Sequence, residues 1–320
     1  MNQPWLSVLM PTYNGEAYLR SALNSILIQD DPNIECIVVD DGSSDDTLSI
    51  LGSYKDKLPL KIVQRERQGN WVANTNYALS LASAEYVCFL HQDDLWLKDR
   101  LATIKNLIER YPTANLFLHP SQFVDPKDNY LGLWQCPLPV YPSIINANTM
   151  IERLLVQNFI SIPAPIFKRE IALKVGGLDE KLWYTADWDF WLKIAFFGEI
   201  IYYSKPLSAF RLHPNSQTVR RSSYLQDFHQ QLEIVAQKYL EQWQTSKQLK
   251  RQIRKIARFS IDVNTTLAGM VHGKKANLFK LLYAFFALGA LGGYKYLRDS
   301  RIWERVYARL KIKLSHTSDA

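Results

Sequence analysis

Cysteine is scarce in this chain: Cys36, Cys88 and Cys136 are the only three in 320 residues. An odd number cannot pair completely, and the first two sit in apolar runs where a thiol behaves as a small hydrophobe. A reducing compartment is the simpler reading. Residues 1–5 lack the basic segment and long apolar run of a secretory leader, which sets the expectation of a cytoplasmic location. The uncharged C-terminal run 281–294 has 14 residues, where about 20 apolar residues are needed to cross a bilayer. Internal repeats and low-complexity tracts are also missing. Acids are rare at one end: residues 245–320 hold 16 Lys and Arg against 4 Asp and Glu. That end carries +12, so residues 1–244 carry −5 of the overall +7. The two parts face different partners.

What is present is a globular composition, 47% apolar, in a chain long enough for about two domains. Leu6-Ser7-Val8-Leu9-Met10 reads as a first strand ended by Pro11. Residues 34–39, 60–64 and 86–90 read as further strands, nearly continuous in apolar character and so suited to burial on both faces. Helical spacing fills the intervals, over 18–29, from about Asp45, over 71–82, and over 98–110. The alternation argues for βαβ units and a mostly parallel sheet. From Asn115 the pattern loosens around Pro120, Pro126, Pro137, Pro139 and Pro142, which reads as a loop-rich, substrate-specific stretch. Order returns at 164–175, in a helix over 187–197 and in a strand over 199–203. Beyond Arg211 the sequence is nearly all helical.

Acids follow the strands. Asp40-Asp41 ends the second, His91-Gln92-Asp93-Asp94 the fourth, and a Gly176-Gly177-Leu178-Asp179 turn leads to Asp187. In open α/β sheets ligands bind outside the carboxyl ends of the strands, so these acids are expected to converge. Taken singly, each has a plainer reading: Asp93-Asp94 as a solvated turn, Asp187 as a helix N-cap, Tyr13 as a core residue.

Taken together, the segments Ser7-Val8-Leu9-Met10-Pro11-Thr12-Tyr13-Asn14, Val38-Val39-Asp40-Asp41-Gly42-Ser43-Ser44-Asp45, Gln92-Asp93-Asp94 and Ala186-Asp187-Trp188-Asp189-Phe190-Trp191-Leu192-Lys193 resemble the family 2 glycosyltransferases of the GT-A fold. The resemblance covers roughly residues 5–215. It implies a Rossmann-like, mostly parallel α/β sheet flanked by helices, here with a C-terminal helical extension. It further implies an inverting enzyme that takes a sugar from a nucleotide diphosphate, usually with Mn²⁺ or Mg²⁺. Residues 1–114 would form the nucleotide-sugar half, 115–215 the acceptor half, and 216–320 the basic helical region.

Carried over residue by residue, the resemblance makes Asp94 the metal-binding aspartate and Asp93 the neighbour that contacts the ribose or supports the metal. His91 stands where many relatives have a further acid. Asp41 would accept the imide N–H of uracil or thymine, a donor cytosine lacks. Tyr13 would stack on the base, with Pro11 and Thr12 shaping the turn. Asn76 and Gly69 fall in a second nucleotide-side loop, and Arg65 or Arg67 is left to supply an arginine contact. Asp187 takes the position of the base that deprotonates the acceptor hydroxyl. Its place at a helix start favours the ionised form. Trp188, with Gly177 before it, is the candidate sugar contact, whereas Trp191 is expected to pack inward and Asp189 is a lesser acid. His213 is a candidate late metal ligand.

The basic tail fits a helix lying on an anionic membrane, peripheral on the inner face, or equally an ordinary packed helix. Nucleic acid is set aside, because no recognised motif is present and the front half is acidic. The expected activity is transfer from a UDP-sugar, less readily a dTDP-sugar, to a hydroxyl of a glycan or lipid-linked acceptor in cell-surface polysaccharide synthesis. A sugar nucleotidyltransferase would need a Gly-rich loop where Pro11-Thr12-Tyr13-Asn14-Gly15 stands. The alternative is a non-catalytic glycan- or membrane-binding protein on the same fold.

Overall fold

The computed structural model describes residues 3–140, 143–213, 216 and 223–318. Strands β1 (Leu6–Thr12), β2 (Ile34–Asp40), β3 (Leu60–Gln64) and β4 (Tyr86–Phe89) are mutually parallel. Helices α1 (Leu19–Leu27), α2 (Thr47–Gly52) and α3 (Trp71–Leu81) connect them. The later strands are β5 (Leu95–Trp96), β6 (Leu116–Leu118), β7 (Ser121–Val124), β8 (Tyr130–Trp134), β9 (Ser143–Ile145), β10 (Ile166–Lys168), β11 (Ile200–Tyr202) and β12 (Ser208–Arg211). Eight strands form the main sheet in the order β3-β2-β1-β4-β10-β6-β11-β9. Here β10 runs antiparallel to β4 and β6, and β9 antiparallel to β11. A smaller sheet follows the order β5-β12-β7-β8.

Pro11 does not end the first strand. β1 continues to Thr12, with Pro11 opposite Val39. Leu9 faces β4, since its carbonyl accepts from Leu90 N (3.1 Å), and Pro11, two residues on, faces the same way. The pairing with β4 has ended by then. The missing N–H therefore falls where no partner strand remains.

The 115–185 stretch is more ordered than its prolines suggest. Among the described residues it holds five of the short strands, β6 to β10, and α5 (Ala147–Val156) begins where the Asn146 side chain accepts from Thr149 N (2.8 Å). Met150, Ile151, Leu154 and Leu155 are buried along one face, so the helix is held by burial as much as by its cap. α4 (Arg100–Arg110), α6 (Arg169–Lys174) and α7 (Ala186–Ala195) complete this part. On the α7 side of the sheet, Phe89, Phe167, Phe190 and Trp191 form an aromatic cluster with ring centroids 5.2–5.8 Å apart.

The C-terminal region comprises α8 (Leu225–Gln242), α9 (Lys247–Val271), α10 (Leu278–Phe286), α11 (Gly289–Ser300) and α12 (Ile302–Ser318). It is largely packed rather than free: α8 lies on α5 and α7, α9 and α11 on α5, and α12 on β8. Truncating Phe89 opens the centre of the aromatic cluster. Phe89→Ala should cost about 3–5 kcal/mol, read as a lower denaturant midpoint at unchanged slope.

Candidate functional site

The carboxyl ends of β2, β1 and β4 are neighbours in the sheet, so the segments after them share one edge. In the first acidic pair one member is absorbed by the protein. Asp40 is fully buried and accepts from Thr12 Oγ1 (3.1 Å), Ser43 N (2.9 Å) and Ser43 Oγ (2.5 Å). The Thr12 hydroxyl is thus spent on Asp40, and buried Pro11 and Thr12 shape the turn rather than offer side chains to a ligand.

Asp41 accepts from Gln68 N (2.7 Å), Gly69 N (2.9 Å) and the Arg67 guanidinium. Burial alone would raise its pKa, but the Gln68 N–H, the Asn74 side chain, the Gly69 N–H and Arg67 together hold it below the ordinary value. The Arg67 guanidinium also lies over the Tyr13 ring, 3.3 Å from its centroid. Arg67 therefore covers both groups expected to recognise a base. Arg65 is engaged elsewhere, donating to Asn74 Oδ1 (2.9 Å) and stacking on Tyr77. Gln92 fixes Tyr13 from the other side: its Oε1 accepts from Tyr13 N (2.8 Å) and its Nε2 donates to Tyr13 O (3.0 Å).

Asp93 and Asp94 are held by β12. Arg211 N donates to Asp94 Oδ1 (3.1 Å), and Arg211 Nε donates to Asp93 O (2.8 Å). This buried arginine, absent from the sequence expectations, also reaches Asp125 O (2.9 Å) and Asp128 (2.5 Å). His213 Nε2 lies 3.1 Å from Asp93 Oδ2, and its ring stands 4.7 Å from that of Tyr18. Burial and the Asp93 charge push Asp94 well up, against the opposing pull of Arg211. Asp93 itself is lowered, since His213 and His91 outweigh its burial.

Two adjacent carboxylates, one of them held back from ionising by its neighbour, form a place that a cation would relieve. Among the described residues, buried His91 Nε2 and His213 Nδ1 have no hydrogen-bond partner. Among the described residues no three His, Cys, Asp or Glu side chains form a group that could hold a metal ion. The donors present fit a hard divalent ion that takes its remaining ligands from phosphate and water, as Mg²⁺ commonly does.

Asp187 sits in the first turn of α7, partly exposed. Asn158 Nδ2 donates to its Oδ2 (2.8 Å), a contact the sequence did not signal. Burial pushes its carboxyl up to about 6, more than the Trp188 N–H and Asn158 pull it down. The helix start does favour the ionised form, but desolvation wins. Asp189 is fully buried and accepts from Lys238 (2.7 Å) and Tyr239 (2.8 Å), with Lys193 2.8 Å away. Its work is to join α7 to α8.

Three expectations need correction. Trp188 is 3% exposed, and its Nε1 donates to Leu154 O (2.9 Å), so it packs in the core instead of facing a sugar. The Asn76 amide is spent on the turn before α7: Nδ2 donates to Leu178 O (2.9 Å), and Oδ1 accepts from Leu178 N (2.9 Å). That leaves no free amide for a nucleotide. Gly177 is buried at φ +67, where only a missing Cβ leaves room for Asn76 Oδ1. It too is part of the turn. Trp191, as expected, is fully buried.

The segment 67–71 links the neighbourhoods of Asp41, of the Asp93-Asp94 pair and of Asp187. Arg67, Gln68 and Gly69 grip Asp41, while Trp71 packs edge-on to His91 with centroids 5.1 Å apart and donates from Nε1 to Trp183 O (3.2 Å). His91 is two residues from Asp93, and Trp183 four from Asp187.

The sequence matches the model of Glycosyl transferase family 2 over residues 7–175. It is 29% identical over 238 residues to an uncharacterized glycosyltransferase of Rickettsia typhi, spanning 70% of this chain and 69% of that protein. It is 41% identical over 115 residues to the poly(ribitol-phosphate) beta-N-acetylglucosaminyltransferase TarS of Staphylococcus aureus, spanning 35% of this chain and 20% of TarS. The crystal structure of TarS 1-349 with UDP-GlcNAc matches with TM-score 0.66 at 22% identity, over 95% of this chain and 91% of that one. The mannosyltransferase PcManGT from Pyrobaculum calidifontis, solved with GDP-Man and Mn²⁺, matches with TM-score 0.56 at 20% identity, over 97% and 87%.

Gly177→Ala tests the turn assignment. The added Cβ would lie 2.6 Å from Asn76 Oδ1 at a positive φ, so stability should fall by more than about 1 kcal/mol in chemical denaturation. Donor binding should be unchanged in whatever fraction remains folded.

Proposed function

This chain belongs to glycosyl transferase family 2, and from that premise we propose that it is an inverting enzyme using a nucleotide diphosphate sugar, UDP before dTDP. The acceptor is a hydroxyl of a glycan or lipid-linked molecule, met at the inner face of the membrane in cell-surface polysaccharide synthesis. Asp41 and Tyr13 would read the pyrimidine once Arg67 moves aside. The UDP-GlcNAc complex of TarS supports UDP as the first donor to try.

The observation that carries the reading is Asp187: a partly exposed acid, lifted to about 6, four residues beyond Trp183, whose carbonyl accepts from Trp71 at the end of the loop that grips Asp41. It would accept the proton of the acceptor hydroxyl as that oxygen bonds to the anomeric carbon. The bond to the diphosphate breaks on the opposite face, its electron pair leaves with the diphosphate, and configuration inverts. Asn158 would orient the carboxylate. A divalent cation, when bound, would offset charge on the departing diphosphate, with Asp94 and Asp93 holding it and His213 beside them.

Asp187→Asn should lower transfer by at least about 10²–10⁴-fold while UDP binding by calorimetry stays near wild type. Full transfer would remove the assignment. A base must be ionised to accept a proton, so wild-type kcat/KM should rise with pH through about 6 and level off above. Asn158→Ala removes a hydrogen bond that favours the ionised form, so its acidic limb should shift to higher pH. Asp94→Ala should weaken UDP binding in Mn²⁺ while leaving metal-free binding unchanged. Equal Mn²⁺ enhancement in both proteins would reject the Asp94 role.

A further inference from the structure

Helix α10 is apolar on two opposite faces, yet only one is covered. Leu281, Ala284 and Phe285 turn inward, and Phe285 packs against Phe259 of α9 with ring centroids 5.8 Å apart. Across the helix, Leu278, Phe279, Leu282, Tyr283 and Phe286 repeat at helical spacing and are 53–87% exposed. No residue of α10 is buried. A helix hydrophobic all round belongs in a core or against lipid, and here the protein supplies a core on one side alone.

Charge identifies the missing side. From residue 263 to 298 there is no Asp or Glu, and of the cations in that interval Lys295 pairs with Glu152 and Arg298 with Asp299, which leaves Lys274, Lys275 and Lys280 to set the charge of the face. Lys274, Lys275 and Lys280, around the start of α10, are exposed. Leu291 and Tyr294 of α11 extend the exposed apolar set, 68% and 63% exposed. Aromatic and aliphatic side chains bordered by lysines, with no acid among them, match an anionic bilayer surface. No described helix is long and apolar enough to cross a membrane, so the fit is to lying on one.

We propose that the outer face of α10, with the adjoining part of α11, is a docking surface that inserts Phe279, Leu282, Tyr283 and Phe286 into the interface of an anionic lipid bilayer. The proposal deepens the reading of an enzyme working beside the membrane and rests on it for its purpose, though not for its test. α11 packs on α5, and Asn158, two residues beyond α5, holds Asp187. Docking through α10 therefore sets the proposed base at a fixed distance from the lipid, as a lipid-linked acceptor requires.

The test is sedimentation of the full chain with vesicles of equal parts phosphatidylcholine and phosphatidylglycerol, against phosphatidylcholine alone. The wild type should bind the anionic vesicles, and raised salt should weaken that binding. F279S/F286S should reduce it by roughly tenfold or more, and K274Q/K275Q should reduce it less. Circular dichroism and the thermal midpoint should be unchanged, because every altered side chain is exposed. W303S/Y307S, on the exposed stripe of α12, should bind as the wild type does. Undiminished binding by F279S/F286S, equal binding to neutral vesicles, loss only in the α12 variant, or burial of this face in a dimer by sedimentation velocity would each overturn the proposal. Vesicle binding without release of UDP from any UDP-sugar would sink the enzymatic reading alone.

Discussion

The parallel register of β2, β1 and β4 is the constraint on which the site depends. Parallel neighbours end at the same edge, so whatever follows their last residues is collected there without any further device. Thr12 stands opposite Asp40, and Asp41 N donates to Thr12 O (2.9 Å), so the second acid leaves the strand already tied to the turn that carries Tyr13. Leu90, bound to Leu9 O (3.1 Å), launches the 91–94 loop from the adjoining strand. A slip of one residue in either pairing would send every side chain of the strand to the opposite, differently packed face of the sheet. Full burial along β1 makes such a slip expensive.

In two of the acid pairs, Asp40-Asp41 and Asp187-Asp189, one member fixes the structure that presents the other. Asp40 binds Ser43 and Thr12, and by closing that turn it leaves Asp41 facing the 67–69 loop. Asp189 binds two lysines and a tyrosine, fixing the azimuth of α7, while Asp187 two residues earlier keeps partial exposure. Buried charge is tolerated where it is matched: Asp189 has Lys193 and Lys238, and Arg211 has the Asp93 and Asp125 carbonyls and Asp128. The groups left under-matched, Asp94 and Asp187, are those whose pKa values burial raises. That division between structural and unsettled acids follows from hydrogen-bond supply rather than from residue type.

Sequence pattern reveals the parallel strands because burial on both faces leaves near-continuous apolar runs, as in β2. It also locates the acids that follow them. Trp188 misleads for a physical reason: at the third position of α7 it points toward Leu154 on α5, and nothing in the local sequence shows which face α5 will cover. Helix α5 was itself hidden among prolines, although Asn146 followed by Met150, Ile151, Leu154 and Leu155 carries a cap and an apolar face. Asn158 and Arg211 were invisible for another reason. Their partners lie 29 and 117 or 118 residues away, and no spacing rule spans such a gap.

The C-terminal helices, too, belong partly to the site. Lys238 and Tyr239 come from α8, and Asp189 would be a buried, under-compensated charge without them. Breaking a buried pair of this kind typically costs about 3–5 kcal/mol, enough to move the first turn of α7 and Asp187 with it. Trp183 N and Tyr184 N both donate to Gln231 Oε1 of α8 (2.9 Å each), so the segment leading into Asp187 is gripped from the same helix. The basic region is therefore not a detachable appendage. Its α8 and α9 layer braces the proposed base against the sheet, while α10, with the adjoining part of α11, turns an apolar face away from the protein.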